Sequence, residues 1–213
     1  MAIKVLIAED HTVVREGLRM LLRGAPDIEI AGEAANGREA VRLALALNPD
    51  VLLLDLMMPA LNGIEAARQV TSRVPNVKVL VLSSYCDTDQ IRKLRSTGIA
   101  GYLVKHTAVD ELLRAIRLVS QGEPYFSSEA AEVSMDVEMR STDKAQLSSR
   151  EAEILQLIAE GYPNKQIASE LNISIKTVQQ HRQRLMNKLN VHGIASLTRH
   201  AIAEGIVDPV LPG

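Results

Sequence analysis

Five polar side chains close apolar runs in the first half of the chain. Glu9 and Asp10 follow IKVLIA, Asp55 follows VLLL, Ser83 ends VKVLVLS, and Lys105 follows GYLV. A single acid in such a place is ordinarily a helix cap or a solvated loop residue. The set has a different meaning. Three carboxylates gathered at one edge of a sheet repel one another and raise each other's pKa values. A divalent cation removes that cost, and Mg²⁺ suits a few carboxylates together with phosphate oxygens and water. An Asp without a neighbouring base can still act as a nucleophile and form an aspartyl phosphate. Phosphoryl transfer depends on in-line positioning and charge neutralisation more than on general-base chemistry, and a metal, a Lys and a hydroxyl supply both.

The elements that must position these residues are legible. Apolar runs at Ile3–Ala8, Glu29–Glu33, Val51–Asp55, Lys78–Ser83 and Gly101–Val104 alternate with stretches of helical spacing, such as Val13, Val14, Leu18, Leu21, Leu22 and Leu112, Leu113, Ile116, Val119. VLLLD and VKVLVLS are apolar on both faces, as buried parallel strands are. Five strand–helix units predict an α/β fold with right-handed crossovers and helices on both faces of the sheet. In such a sheet the loops after the strand C-termini build the site, so all five polar residues fall at one edge.

Composition narrows the setting. Of 213 residues 46% are hydrophobic, enough to fill two modest cores. A lone cysteine, Cys86, excludes an intrachain disulfide and favours a reducing cytosol. No basic segment with a long apolar stretch precedes Ile3, and no apolar run approaches membrane-span length, so a cytoplasmic protein with no membrane partner is expected. Charge divides the chain into three. Residues 1–122 carry 15 basic and 14 acidic side chains, 123–143 carry 1 and 6, and 144–213 carry 8 and 6. The acidic segment, with Gly122 and Pro124 at its start, reads as an exposed linker. We therefore expect domains at 1–122 and 147–213 joined by a linker at 123–146.

The first of these resembles the receiver domains of two-component response regulators. The residues that carry the resemblance are the acidic pair in IAED, Asp55 in LLLDLMMPALNG, Ser83 in VLVLSS and Lys105 in GYLVKH, over residues 1–122. It implies a flavodoxin-like, five-stranded parallel sheet of order 2-1-3-4-5, with Asp55 taking phosphate from a histidine kinase. It further implies that Asp10 ligates Mg²⁺ directly, Glu9 through water, and Met57 through its backbone carbonyl. Lys105 would pair with the phosphate, Ser83 would hydrogen-bond it, and Tyr102 would swing inward as a switch aromatic. Pro59 and Gly63 fit the family's loop after the phosphorylated strand. Glu9 replaces the commoner Asp, and Ser83 the commoner Thr, with the chemistry kept. By the same resemblance Met57 and Tyr85 flank the path of water towards a phosphorylated Asp55.

From Leu147 the pattern is wholly helical. Ser148 with Glu151 has capping-box spacing, opening a helix that ends near Gly161. A short helix from Asn164 buries Ile167, Ala168 and Leu171. Asn172-Ile173-Ser174 is a tight turn, Ser174 caps a helix from about Ile175 to Asn190, and a fourth runs from Ile194 to Glu204. Two short helices joined by such a turn make a helix-turn-helix, here within an all-α four-helix domain.

Laid out at 100° per residue, the third helix puts Val178, Leu185 and Leu189 on one side. The other side carries Lys176, Gln180, Gln183 and Asn187, bordered by Gln179 and Arg184. Between Lys176 and Lys188 there are four basic residues and no acid. A solvated surface helix can be basic without a ligand, but Gln makes paired hydrogen bonds to adenine in the major groove, and Lys and Arg bind phosphates. Candidate contacts to double-stranded DNA are Lys176, Thr177, Gln179, Gln180, Gln183, Arg184 and Lys188. His181, at the edge of the apolar stripe with no ligand partner spaced for it, reads as a packing or phosphate-contacting histidine rather than a metal ligand.

LSSREAEILQLIAEG, NKQIASELNIS and KTVQQHRQRLMNKLNV resemble the LuxR-type DNA-binding domain, and with the receiver the chain is similar to NarL/FixJ-family regulators. That resemblance implies a homodimer on DNA or when phosphorylated, with the last helix contributing. It carries no target sequence, since Gln179 and Gln180 stand where other members often have a Lys and a second, variable residue.

Rival readings fail on particular residues. A phosphatase of the haloacid-dehalogenase type needs an acid two positions after its Asp, where this chain has Met57. A nucleotide-binding module needs a glycine-rich loop after the first strand, where this chain reads AEDHTVVREG. The acid pocket argues against a small-molecule sensor domain. An adaptor that never touches DNA is separated by a DNA-shift assay. The expectation is a non-enzymatic regulator that accepts a phosphoryl group on Asp55 and hydrolyses it slowly.

Overall fold

The computed structural model describes residues 2–84, 88–128, 130 and 147–207. Tyr85, Cys86 and the linker from 131 to 146 lie outside the described residues. The chain divides into two compact units.

The first unit runs β1 (Ile3–Ala8), α1 (Thr12–Arg23), β2 (Ile28–Ala34), α2 (Gly37–Leu47), β3 (Val51–Asp55), α3 (Gly63–Arg73), β4 (Lys78–Ser83), α4 (Thr88–Ser96), β5 (Gly101–Val104), α5 (Val109–Ser120) and β6 (Tyr125–Phe126). All strand pairs are parallel, in the order 2-1-3-4-5-6. Every residue of β3 is buried, which explains its unbroken apolar run. Val5, Ile7, Val51, Leu53, Leu80, Leu82 and Leu103 pack on Leu18 and Leu22 of α1 and on Leu112, Ile116 and Val119 of α5. The alternate residues, among them Leu6, Leu52, Leu54 and Val81, are just as buried on the opposite face.

A sixth strand is added to the expected five. Tyr125 N–H donates to Ala100 O and Ser127 N–H to Tyr102 O, both at 3.0 Å. Two residues are too few to show strand periodicity, so the sequence pattern does not reveal β6.

The second unit contains α6 (Ser149–Ala159), α7 (Asn164–Glu170), α8 (Ile175–Lys188) and α9 (Ile194–Ala203). The capping box is complete: Glu151 N–H donates to Ser148 Oγ at 3.3 Å, and Ser148 N–H to Glu151 Oε2 at 2.9 Å. Asn172 adopts a left-handed φ of 50° in the turn, and Ser174 Oγ accepts from Thr177 N–H at 3.0 Å. Ile154, Leu157, Ile167, Leu171, Val178, Leu185, Leu197 and Ala201 form the core. Val178 and Leu185 are thus buried as the helical layout requires, and Met186 and Leu189 pack partly buried against the same core.

Candidate functional site

The strand order explains where the first site lies. The chain leaves β1 for β2 on one side and returns to β3 on the other, so the sheet switches direction between β1 and β3. Ala8 is in register with Leu54, which sets Glu9 beside Asp55 where the two strands end. Ser83 is in register with Val104, and Lys105 N–H donates to Ser83 O at 2.7 Å. Four strand ends therefore converge.

The side chains converge too. Lys105 Nζ lies 2.8 Å from Glu9 Oε2 and 3.1 Å from Asp55 Oδ1. Glu9 and Asp55 are buried, and Asp10 is a quarter exposed. Among the described residues, Asp55 Oδ2 is buried with no hydrogen-bond partner. Burial, and next the Glu9 charge, push the Asp55 carboxyl up to about 6 against the pull of Lys105. The Lys105 ammonium is held above its ordinary value, because Asp55 and Glu9 outweigh the burial that opposes it.

Gly63 shapes the loop after β3. Its N–H donates to Leu56 O at 2.8 Å, and a Cβ there would stand 2.1 Å from Asp55 O. Only glycine lets the chain pass that close behind Asp55. Met57 is half-buried two residues past Asp55, Ser83 is buried at the end of β4, and the Tyr102 ring is fully buried.

Two contributors escape sequence pattern. Arg15 donates through NH1 to Glu9 O at 2.6 Å, fixing the backbone that carries the acidic pair. His11, exposed on its outer side, places Nδ1 2.9 Å from Asp10 Oδ1 and 3.2 Å from Glu9 Oε1. Asp10, ahead of the smaller contributions of Glu9, holds the imidazole pKa above its ordinary value. The one available signal was adjacency, His following Glu-Asp directly. Glu9, Asp10, His11 and Asp55 each present a donor atom, all within 4.8 Å of one another. The donor set, with an unpartnered buried carboxylate oxygen in it, fits a cation.

On α8, Lys176, Gln179, Gln180, Gln183, Arg184 and Lys188 are exposed, as the helical layout requires. Thr177 is half-buried, its Oγ1 2.8 Å from Ser174 Oγ, so its hydroxyl is engaged in the helix cap. Lys188 Nζ lies 2.7 Å from Glu151 Oε2, and Gln183 Nε2 donates to Asn187 Oδ1 at 3.1 Å. Lys188, first, keeps the Glu151 carboxyl below its ordinary range.

Comparison with known proteins agrees with both units. Residues 5–117 match the response regulator receiver domain, and residues 145–201 match the bacterial regulatory proteins of the luxR family. The chain belongs to the LuxR-type two-component response regulators. Transcriptional regulatory protein LiaR of Bacillus subtilis is 43% identical to this response regulator over 193 residues, 89% of this chain and 92% of LiaR. Response regulator protein VraR of Staphylococcus aureus is 37% identical over 97% of this chain and 100% of VraR. The solved RcsB response regulator of Salmonella typhimurium superimposes with a TM-score of 0.59 at 26% identity, covering 95% of this chain and 99% of that one. A structure of two RcsB dimers bound to two parallel DNAs gives 0.60 at 26% identity, over 94% and 98%. This response regulator is accordingly a DNA-binding regulator of transcription whose receiver implies a histidine kinase partner. No described helix is long and apolar enough to cross a membrane.

Proposed function

We propose that Asp55 is the phosphoryl acceptor of this regulator and that its phosphorylation controls sequence-specific DNA binding by α8. The observation that carries this is the Asp55 carboxylate itself. Oδ1 is tied to Lys105 while Oδ2, among the described residues, is left without a hydrogen-bond partner. Oδ2 attacks phosphorus in line, the P–N bond to the donor histidine breaks, and its electron pair stays on that nitrogen. Lys105 is placed to neutralise the phosphoryl oxygens, and buried Ser83 to donate its hydroxyl to one of them. Asp55, Asp10, Glu9 through water and the Met57 carbonyl would hold Mg²⁺, which would supply the remaining charge neutralisation. Tyr102, buried on the strand next to Ser83, is the switch aromatic.

Lys176, Gln179, Gln180, Gln183, Arg184 and Lys188 contact the duplex, with Thr177 holding the helix start. The protein works in the cytoplasm as a homodimer on DNA, and its own chemistry is acceptance of a phosphoryl group on Asp55 and slow hydrolysis of it. The functional domains are the receiver at 1–122 with β6 appended, a linker up to 146, and the DNA-binding domain at 147–213.

Acetyl phosphate with Mg²⁺ should add one phosphate to the intact mass of the wild type and none to Asp55→Asn. It should also tighten wild-type binding in a DNA-shift assay. Equal labelling of both proteins sinks the assignment of Asp55, and DNA binding indifferent to labelling sinks the control.

A further inference from the structure

The acidic pocket contains one nitrogen donor that the phosphorylation chemistry does not use. His11 Nδ1 is turned into the cluster, 2.9 Å from Asp10 Oδ1 and 3.2 Å from Glu9 Oε1. Glu9 divides its carboxylate, giving Oε2 to Lys105 at 2.8 Å and Oε1 to the imidazole side. Asp55, 4% exposed, keeps Oδ2 unpartnered among the described residues. Donors around a four-coordinate, tetrahedral cation with bonds of about 2.1 Å stand roughly 3.4 Å apart. The four donors of this pocket lie within 4.8 Å of one another, so side-chain movement of about an ångström closes them on one ion.

We propose that His11 is a fourth ligand at this site and gives the pocket a second metal chemistry: binding of a borderline transition cation of the Zn²⁺ type. The inference rests on the reading of the pocket as a cation site. Carboxylate and water oxygens suit Mg²⁺, which gains little from imidazole. Zn²⁺ takes imidazole nitrogen readily, and for a given nitrogen and oxygen set the divalent d-block ions bind tighter towards the end of the row. Three carboxylates and one imidazole make a four-donor set, the coordination number Zn²⁺ prefers.

A rival account makes His11 only a cationic neighbour of the acids. The two differ in sign. A positive imidazole repels any divalent cation, so removing it would strengthen Zn²⁺ and Mg²⁺ binding alike.

The test is calorimetric titration of the full-length protein with ZnCl₂ and separately with MgCl₂, for wild type, His11→Ala and Asp10→Asn. His11 is two-thirds exposed, so its replacement leaves the fold in place. The expected result is a Zn²⁺ affinity at least tenfold weaker in His11→Ala, with Mg²⁺ affinity within about twofold of wild type. Asp10→Asn should weaken both ions. Zn²⁺, and not Mg²⁺, should also shift the ring-nitrogen resonances of His11 in ¹⁵N-histidine-labelled protein. A Zn²⁺ affinity unchanged or raised by His11→Ala overturns the proposal, as does Zn²⁺ binding that ignores Asp10→Asn, which locates it elsewhere. Wild type that takes Zn²⁺ through His11 but no Mg²⁺ would overturn the magnesium reading alone.

Discussion

A Cβ on Gly101 would stand 2.5 Å from the carbonyl oxygen of Tyr125 and 2.7 Å from Leu80 Cδ1. The first residue of β5 can therefore carry no side chain, because the backbone of β6 passes over it. Several contacts keep that backbone there. The Tyr125 hydroxyl donates to Glu111 Oε1 at 3.0 Å, and the Arg95 guanidinium lies 4.1 Å from the centre of the Phe126 ring. Residues 125–127 thus cover an edge of β5 that would otherwise present unpaired backbone groups.

Gly101→Ala should displace β6 and lower receiver stability by about 1–3 kcal/mol, the usual cost of overpacking. Gly17 is the control. It lies inside α1, and a Cβ there meets nothing within 4 Å. Gly17→Ala should stabilise by roughly 0.5–1 kcal/mol through helix propensity. Urea denaturation of both variants measures the contrast. Equal stabilities for the two would show that β6 is not seated on β5.

What the sequence revealed and concealed follows the length scale of each signal. β3 and β4 are apolar over five and six residues, and their polar last residues mark the strand ends, so Asp55 and Ser83 were placed correctly. Ser148 and Glu151 announced α6 because a capping box is a local motif with its own spacing. β6 is two residues long and held by partners far away in sequence, which no periodicity reports. His11 and Thr177 depend on rotamers. One is turned back into the acids and the other is bonded to Ser174, and residue type alone does not say which way a side chain faces.

The exposed face of α8 should divide its work. Removing the charge of Lys176 or Arg184 should weaken binding to every sequence and flatten the log–log salt dependence by about one unit per lost phosphate contact. Lys188 should have a smaller effect, since Glu151 at 2.7 Å already shares its charge. Gln179→Ala, Gln180→Ala and Gln183→Ala should instead relax base preference, costing roughly 1–3 kcal/mol on the best site. Binding-site selection from random duplexes distinguishes the two classes. An unchanged preferred motif in the Gln variants would refute the division.

The Asp55 carboxyl should make the metal-free receiver sensitive to pH. Its pKa is raised from 3.8 to about 6 by burial and by Glu9, with Lys105 opposing. A raised carboxyl pKa means that the folded protein binds the proton more tightly than the unfolded chain. Below about pH 4 both states are protonated and nothing is lost. As pH rises from 4 through 6, the folded state alone is forced to ionise a buried group, and stability falls. Asp55→Asn removes that ionisation. Without metal it should raise receiver stability at pH 7.5 by about 1–3 kcal/mol. The gain should shrink to nothing near pH 4, and Mg²⁺ should narrow it at pH 7.5 by stabilising the wild type. Denaturation curves in chelator at three pH values check this. A constant difference across pH would mean that the Asp55 charge carries no folding cost.

The lifetime of the phosphorylated state turns on what borders the line of attack at phosphorus. Water must approach opposite the Asp55 oxygen, and a carboxylate or amide near that line can accept its hydrogen bond and orient it. Met57, half-buried two residues past Asp55, offers a thioether that accepts hydrogen bonds only weakly. Tyr85, the second residue expected on this path, lies outside the described residues, so Met57 carries the argument. The phosphorylated protein should consequently decay slowly for a receiver, on a timescale suited to transcription. Any role of Met57 in holding Mg²⁺ runs through its backbone, which substitution preserves, so the side-chain effect can be isolated. Met57→Asn should speed phosphate loss several-fold while leaving the extent of phosphorylation unchanged. Met57→Leu, which keeps the bulk and supplies no acceptor, should decay like the wild type. Purified phosphoprotein followed on phosphate-affinity gels gives the rates. If Met57→Asn decays no faster than wild type, water access is governed elsewhere and the thioether is incidental. If Met57→Leu accelerates as much as Met57→Asn, packing rather than water orientation sets the lifetime.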